Sequence, residues 1–218
     1  MAVIGVDEAG KGPVLGSMFA AAVRWSAGQE TPPELADSKQ LTAEQRRTIA
    51  SRLRSADGIT VGIAEVAVSR IDAAGTDMNT LTLEAQTEAL ATVGRFGDMA
   101  RCDAADVDAD RFGGRLADAL EPIGRDGIDI RAEHRADERY AIVSAASVLA
   151  KVARDAHVDE LAAEYGEIGS GYPGDPATRS FLRRHVGERG DLPDCARRSW
   201  ATSEAVLAAD EQSALGEF

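Results

Sequence analysis

Histidine and cysteine are scarce in this chain of 218 residues. The two cysteines, Cys102 and Cys195, are far apart in the sequence and form neither a metal-binding pattern nor a disulfide framework. The three histidines, His134, His157 and His185, lack the H-x-x-x-H spacing of common zinc sites. The apolar runs are too short to span a bilayer. We therefore expect a cytoplasmic protein with reduced thiols, no zinc and no membrane contact.

Lysine is nearly missing as well. Lys11, Lys39 and Lys151 are the three lysines among 24 basic side chains, while 37 acidic side chains bring the formal net charge to −13. This acidic, lysine-poor composition resembles proteins adapted to high salt, in which screening limits self-repulsion of the surface. Net charge alone disfavours nucleic-acid binding, but concentrated salt weakens the bulk attraction of any protein for a phosphate backbone. The charge therefore does not decide the class of partner.

The first dozen residues are the most informative stretch. An apolar run of strand character ends in two adjacent carboxylates, Asp7 and Glu8, and the turn Gly10-Lys11-Gly12 follows. Because strand residues alternate between faces, we expect the two acids to share a side only if the strand ends between them. Carboxylates beside open backbone N–H groups suit Mg²⁺ or Mn²⁺ bridged to a phosphate. A G-x-x-x-x-G-K-[ST] phosphate loop is excluded, because Gly12 has no hydroxyl.

The remaining chain alternates strand and helix patterns. Besides the first strand, we predict strands at residues 18–25, 59–68, 98–102 and 128–132, and helices at 42–54, 79–93, 110–120, 137–165, 177–186 and near the C-terminus. This order suits an α/β fold with a mixed five-stranded sheet and helices on its faces. Functional sites in such sheets collect at the carboxyl ends of strands. Asp7, Asp103 and residues 133–137 all fall at predicted strand ends.

Seven segments carry a resemblance to a known family. They are residues 5–12 (GVDEAGKG), 37–39 (DSK), 102–108 (CDAADVD), 133–137 (EHRAD), 144–151 (SAASVLAK), 169–173 (GSGYP) and 198–200 (RSW). In their order and spacing the sequence resembles ribonuclease HII of the archaeal type, here with a halophilic composition. The resemblance implies a ribonuclease H-like core at residues 1–142. It also implies a helical C-terminal region at 143–218, packed on that core as one catalytic domain.

The same resemblance implies an activity and a set of catalytic acids. It implies an endoribonuclease that hydrolyses the RNA strand of RNA/DNA hybrids and nicks 5′ of single ribonucleotides in duplex DNA. The implied catalytic and metal-binding carboxylates are Asp7, Glu8, Asp103 and Asp137, with two Mn²⁺ or Mg²⁺ ions per site during catalysis. Two-metal hydrolysis needs several anionic oxygens, which four carboxylates supply. Without metal these acids repel one another, so we expect coupled and partly raised pKa values.

Residues outside the acids are implied to bind the substrate. Gly10, Lys11 and Gly12 match the turn that reads the ribose 2′-OH in this family, and Tyr172 matches the tyrosine that packs on the sugar. The remaining implied substrate-binding residues are Lys39, Ser147 and Lys151. We expect a monomer whose partners are RNA/DNA hybrids and ribonucleotide-containing duplex DNA. The tail at residues 212–218 is a weak candidate for docking to a sliding clamp.

Two other classes of protein share this fold and stay open at this point. A nucleic-acid binding protein without catalysis is disfavoured, because carboxylates that face a phosphate backbone are costly unless a metal neutralises them. A DNA nuclease or resolvase would share the acids but would not need the sugar-reading turn. Nearby, we expect Asp106 and Asp108 to begin the next helix rather than bind metal. His134 and Arg135 either face phosphate or cover the site.

The composition predicts a protein that needs concentrated salt. At roughly molar salt the Debye length falls to about 3 Å, which screens the self-repulsion of the acidic surface. The melting temperature should therefore rise steeply between dilute buffer and molar KCl. Full activity together with an unchanged melting temperature in dilute buffer would contradict the halophilic interpretation.

Overall fold

A computed structural model describes residues 2–26, 35 and 40–215 of the protein. The strands are β1 (Val3–Ala9), β2 (Met18–Trp25), β3 (Ile59–Val66), β4 (Met99–Asp103) and β5 (Asp129–Glu133). The helices are α1 (Ala43–Ser55), α2 (Val68–Ile71), α3 (Met78–Val93), α4 (Ala109–Leu120), α5 (Ala136–Arg139), α6 (Ala141–Tyr165), α7 (Pro176–Arg189) and α8 (Ala201–Leu215). A 3-10 turn at Glu121–Ile123 follows α4.

The strands form one five-stranded sheet in the order β3-β2-β1-β4-β5. The central strand β1 is antiparallel to β2 and parallel to β4, with Val6 opposite Cys102 in the second pair. Strand β5 is parallel to β4, and Asp103 is opposite Glu133. The predicted mixed sheet is therefore confirmed. The carboxyl ends of β1, β4 and β5 meet at one edge, because these three strands are mutually parallel.

The chain divides into two compact units. Unit 1 comprises Met1–Ala9, Phe19–Glu65 and Asp77–Ala153, and unit 2 comprises Gly10–Met18, Val66–Thr76 and Arg154–Phe218. In unit 1, buried residues of β2, α1 and α6 form one apolar cluster. In unit 2, buried residues of α7 pack with Val14, Leu15 and Val206 in another. The division at residues 142 and 143 that the resemblance implied stays a prediction.

Gly5 allows helix α6 to approach strand β1 closely. A Cβ at this position would overlap the carbonyl oxygen of Ile142 and would lie 2.6 Å from the amide nitrogen of Val143. The first turns of α6 also carry small side chains, and residues Ile142 to Ala150 are all buried. The glycine that begins the GVDEAGKG segment is therefore explained by backbone packing, since only glycine has no side chain in this space.

Strand β1 continues to Ala9, because Asp7, Glu8 and Ala9 all pair with β2, so the condition for the two acids to share a side is not met. Two sequence expectations were wrong in detail. The helix expected at 137–165 is two helices, since Tyr140 has extended backbone between α5 and α6. The third strand ends at Val66, and α2 begins two residues later. In the described part of the chain, no helix combines the length and hydropathy needed to cross a bilayer.

Other local predictions are confirmed. The helix predicted at 42–54 is α1, and Thr42 and Gln45 form a capping box at its start, with each side chain bonded to the other's backbone N–H. Asp108 caps α4 by accepting a hydrogen bond from the amide of Arg111, as expected. Cys102 and Cys195 are free, buried thiols.

The Gly5 packing predicts a specific stability effect. Gly5→Ala should lower the free energy of unfolding by about 1–3 kcal/mol or more, because overpacking forces β1 and α6 apart. Gly114→Ala is the matched control, since a Cβ there has no atom within 4 Å. In the middle of α4 this change should be neutral or stabilising by up to about 1 kcal/mol. Thermal or urea unfolding in high salt measures both, and equal effects would contradict the packing argument.

Candidate active site

The carboxylates of Asp7 and Asp103 lie on neighbouring strands at the same level of the sheet. Val6 is opposite Cys102, so the next residues of these parallel strands, Asp7 and Asp103, are side by side. The same register places Glu133 beside Asp103. Parallel strands in register project equivalent residues to one face of a sheet. The topology therefore brings three acids, one from each strand, to the carboxyl edge.

Asp7 and Glu8 project to opposite faces of β1. Gly5, two residues before Asp7, packs on α6, and the Ser147 side chain of the same helix donates a hydrogen bond to Asp7. Glu8 instead accepts a hydrogen bond of 2.7 Å at Oε2 from Nε2 of Gln86 in α3. The strand therefore continues past Asp7 without the break that a shared face would need. The two acids still act on each other's charge, because they are adjacent along the chain.

The carboxyl group of Asp7 is unfavourably placed for carrying a charge. Asp7 has only 6% of its surface exposed. Burial raises its pKa well above the ordinary value, and the charges of Glu8 and Asp103 raise it further. Hydrogen bonds from Ser147 and from the backbone N–H of Glu8, which is 2.7 Å from Oδ1, lower the pKa but do not reverse the shift. A nearby cation would favour the ionised form again.

Asp103 connects the sheet edge to the short helix that carries Asp137. Its Oδ1 accepts a hydrogen bond of 2.7 Å from the backbone N–H of Ala136, the first residue of α5. Asp137 is the next residue and is partly buried. The helix begins directly after Arg135, whose φ of 56° is in the left-handed region. Asp137 therefore follows Glu133, the last residue of β5, by four positions.

Glu133 binds side chains that follow Asp137 in the chain and one from β4. It accepts hydrogen bonds from the Tyr140 hydroxyl at 2.7 Å and from Arg139 at 3.0 Å. Arg101 of β4 contacts it at 3.3 Å and lies over the Tyr140 ring, 4.9 Å from its centroid. The hydrogen bond from Tyr140 is the largest of several contacts that lower the pKa of Glu133. Glu133 is thus engaged structurally, which distinguishes it from Asp7.

The acids suit a hard divalent cation by their chemistry. All the available donors are carboxylate oxygens, which Mg²⁺ and Mn²⁺ prefer over the nitrogen and sulfur ligands of zinc. The like charges around buried Asp7 would be offset by a bound cation. As the side chains lie, no three histidine, cysteine or acidic residues of the described ranges are grouped closely enough to enclose an ion. The residues that could hold a metal are Asp7 and Asp103 on one face. Glu8 adjoins Asp7 in the chain, and Asp137 adjoins Ala136, whose N–H donates to Asp103.

The glycine turn is part of unit 2 and follows Ala9, the last residue of β1. Gly10 has a φ of +95°, a conformation that L side chains rarely adopt. Gly12 lies against the aromatic ring of Tyr172, since a Cβ there would be 3.7 Å from Cε1 of the tyrosine. Tyr172 is 43% exposed, and the guanidinium of Arg154 lies 4.9 Å from its ring centroid. The turn and an exposed aromatic ring are therefore neighbours.

The other predicted substrate-binding residues have different surroundings. Ser147 is buried and bonds to Asp7, so the contact it makes here is with a carboxylate. Lys151 is half-buried in α6. Lys39 lies outside the described residues, as do the last residues of the tail, 216–218.

Two aspartates near the site are occupied by other contacts. Asp106 accepts two hydrogen bonds of 2.7 Å from Arg111, and Asp108 caps α4. These contacts agree with the expectation that both begin the helix. His134 lies 3.3 Å through Nε2 from the carbonyl oxygen of Val107, which makes it part of the loop packing.

Sequence reasoning missed the side chains that hold the acids and the turn. Gln86 is fully buried and donates to Glu8 and also, at 3.0 Å, to the carbonyl oxygen of Asp103. Arg197 is fully buried and donates to carbonyl oxygens of the turn. A glutamine within an amphipathic helix and an arginine in a loop carry no sequence signal of burial.

The five-stranded mixed sheet and the match to a family profile together identify the protein as a nuclease of the ribonuclease H type. The profile of the family described as Ribonuclease HII matches residues 4–203, and the chain belongs to this family. It is 57% identical to a ribonuclease HII of Haloarcula marismortui over 98% of this chain and 99% of that one. Membership makes the protein an endoribonuclease that acts on RNA in RNA/DNA hybrids. It also decides against a non-catalytic binding protein and against a DNA nuclease.

Solved structures agree with this assignment. The ribonuclease H2 of Pyrococcus horikoshii has a TM-score of 0.85 and 35% identity, covering 97% of this chain and all of that one. The ribonuclease HII of Archaeoglobus fulgidus, solved in complex with PCNA, has a TM-score of 0.80 and 30% identity over 92% of this chain and 95% of that one. A ribonuclease HIII solved with Mn²⁺ has a TM-score of 0.79 at 19% identity, covering 97% of this chain and 71% of that one, and shows the shared fold.

The buried Asp7 predicts an unusual pH dependence of stability. Because its folded pKa is raised, its stabilising contribution is present at low pH and is lost as the pH rises through that raised value. In EDTA and constant high salt, Asp7→Asn should therefore melt a few degrees above the wild type at neutral pH, since 1 kcal/mol corresponds to about 2–4 °C here. The difference should shrink as the pH falls towards 4, roughly the ordinary value for aspartate.

Asp118→Asn provides the control for this comparison. Asp118 is an exposed residue of α4, and the same isosteric change there removes one surface charge without altering the acids at the carboxyl edge of the sheet. Its effect on the melting temperature should be much smaller than that of Asp7→Asn at neutral pH. A destabilised Asp7→Asn variant at neutral pH would show that the ionised carboxylate is favourable in the metal-free fold.

Proposed function

We propose that the protein hydrolyses the RNA strand of hybrids by a two-metal mechanism and also nicks duplex DNA 5′ of a single embedded ribonucleotide. Asp7, Glu8, Asp103 and Asp137 are the proposed catalytic and metal-binding acids. In the reaction a water oxygen bonds to phosphorus and the bond to the 3′-oxygen breaks. The products are a 5′-phosphate and a 3′-OH end, and the leaving oxygen takes up a proton.

The observation that carries this proposal is the convergence of acids around the buried carboxyl of Asp7. Two bound divalent ions, Mg²⁺ or Mn²⁺, would acidify the attacking water and offset charge on the leaving oxygen. The protein's own residues set the positions of the acids. Gln86 holds Glu8, the Ala136 N–H holds Asp103, and Ser147 holds Asp7. A family structure at 19% identity was solved with Mn²⁺, which is consistent with this choice of ions.

The glycine turn supports a preference for ribose. Glycine lets the backbone approach a sugar, and RNA differs from DNA at one nucleotide only by its 2′-hydroxyl. Gly10, Lys11 and Gly12 are the proposed readers of that hydroxyl, and the exposed ring of Tyr172 beside Gly12 is the proposed platform for the sugar. A site built to pair a hydroxyl rejects the analogue lacking it by about 10⁴–10⁵-fold.

Two lysines are proposed to contact the substrate, and the C-terminal tail is proposed to contact a protein partner. Lys39 and Lys151 are proposed to contact substrate, since a compact ammonium acts as a point charge near phosphate, and Ser147 is proposed to act beside them. The protein is proposed to work as a monomer. The archaeal relative solved with PCNA supports a sliding-clamp contact for this chain as well, with the C-terminal tail as the proposed docking segment.

The test is cleavage of three labelled substrates in Mg²⁺ or Mn²⁺ at high salt. We expect cutting of an RNA/DNA hybrid and of a DNA duplex with one ribonucleotide, on its 5′ side, and no cutting of the all-DNA duplex. Asp103→Asn should lower kcat by about 10³-fold or more, because it removes charge where catalysis needs it. The amide keeps an oxygen for the Ala136 N–H, so the fold should persist.

Asp106→Asn is the matched control, because Asp106 is also an aspartate after β4 but is bound to Arg111. It should keep activity within a few-fold of the wild type. Wild-type rates for Asp103→Asn would remove Asp103 from the catalytic acids. Cutting that requires several consecutive ribonucleotides would leave the hydrolysis intact but refute single-ribonucleotide recognition.

A further inference from the structure

Arg197 is a fully buried cation whose guanidinium is bound to backbone carbonyls. Its Nη2 donates to the carbonyl oxygen of Gly10 at 2.7 Å, its Nη1 to that of Lys11 at 3.0 Å, and its Nε to that of Gly16 at 2.9 Å. Its own backbone N–H donates to the carbonyl oxygen of Val14 at 2.8 Å. The arginine therefore ties together both ends of the segment 10–16, which contains the glycine turn.

Burying a charged guanidinium costs desolvation free energy, which other contacts must offset. Burial lowers the pKa of Arg197 to about 10, and the carboxylate of Asp72 opposes this shift. Asp72 itself accepts hydrogen bonds from Ser199 and from the Arg198 backbone. Within the described residues Arg197 has no carboxylate at ion-pair distance, so carbonyl oxygens take the place of a counter-ion. Hydrogen bonds to a charged group are stronger than those between neutral groups, which offsets part of the desolvation.

Trp200 packs on Arg197 and binds the carbonyl group of Gly12, the residue after Lys11. Its ring covers the guanidinium, with Cζ of Arg197 4.8 Å from the ring centroid. Its indole Nε1–H donates to the carbonyl oxygen of Gly12 at 3.3 Å. Three consecutive carbonyl groups, those of Gly10, Lys11 and Gly12, are thus held by two side chains that are three residues apart.

Holding these carbonyls determines where the amide groups of the turn point. In a planar trans peptide the C=O and the N–H of the same unit point in opposite directions. The carbonyl of Gly10 shares its peptide unit with the Lys11 N–H, and the carbonyl of Lys11 shares its unit with the Gly12 N–H. Both N–H groups are therefore directed away from Arg197. The Gly12 N–H donates no hydrogen bond to any group of the described residues.

We propose that Arg197, covered by Trp200, is a positioning residue that presents the Lys11 and Gly12 N–H groups to the ribose 2′-oxygen. This inference rests on the proposed reading of ribose by the glycine turn. Arg197 touches no substrate and acts through the backbone. Lysine cannot replace it, because an ammonium group lacks the planar fork that reaches three carbonyls at once.

The experiment measures the preference for ribose directly. The chain carrying Asp7→Asn, in which the loss of a proposed catalytic acid should stop cutting, is titrated at high salt in Mg²⁺ with two labelled duplexes that differ by one 2′-hydroxyl. Adding Arg197→Lys should lower the ratio of the two affinities by about tenfold or more, since one lost hydrogen bond to the hydroxyl is worth about that factor. The net charge is unchanged, so general attraction to DNA is unchanged. Partial unfolding of the variant would lower its affinity for both duplexes equally and leave the ratio of the two affinities unchanged.

Arg198→Lys is the matched control, because the neighbouring arginine is half exposed and pairs with Asp191. It should keep the full preference. If Arg197→Lys folds and also keeps the full preference for the ribose-containing duplex, the inference is overturned. If that variant does not fold, Trp200→Phe decides, since it keeps the ring but loses the bond to Gly12, and an unchanged preference would overturn the inference. If Asp7→Asn alone binds both duplexes equally, the proposed reading of ribose has failed and the inference falls with it.

Discussion

The repulsion among acids at the carboxyl edge of the sheet is the constraint on which the account depends. Asp7 is nearly buried beside Glu8 and Asp103, and its pKa is raised by burial and by both charges. A fold selected for stability alone would place an apolar side chain there. The cluster therefore supports the proposed divalent-cation site, because a bound cation would turn an unfavourable group of charges into a set of ligands.

Different elements pack around the acid cluster, and each of them holds a different acid in place. The missing side chain of Gly5 lets α6 lie directly on β1, and this brings Ser147 to Asp7. On the other face, Gln86 of α3 holds Glu8. Such supports matter because a catalytic group must be held by side chains that are themselves locked in place. The acids are presented by rigid strands rather than by free loops.

Much of the fold could be predicted from the sequence, because strand alternation, the capping box and the order of elements are local signals. The resemblance carried by the motifs implied the catalytic acids and the ribose-reading turn, and those roles stay predictions. The contacts that hold them could not be predicted, since the burial of Gln86 and Arg197 depends on tertiary packing. The break at Tyr140 was missed because alanine-rich sequence on its C-terminal side has high helix propensity, whereas Asp103 fixes the start of α5 through a backbone amide.

The most direct test of the metal-centre account is the pKa of the Asp7 carboxyl, measured by ¹³C NMR with and without Mg²⁺ at constant high salt. Selective assignment is available by comparison with Asp7→Asn. The account predicts that Asp7 in the metal-free protein titrates well above the ordinary value of 3.8, and that Mg²⁺ lowers this pKa. An Asp7 carboxyl that titrates at its ordinary value and does not respond to Mg²⁺ would contradict the account.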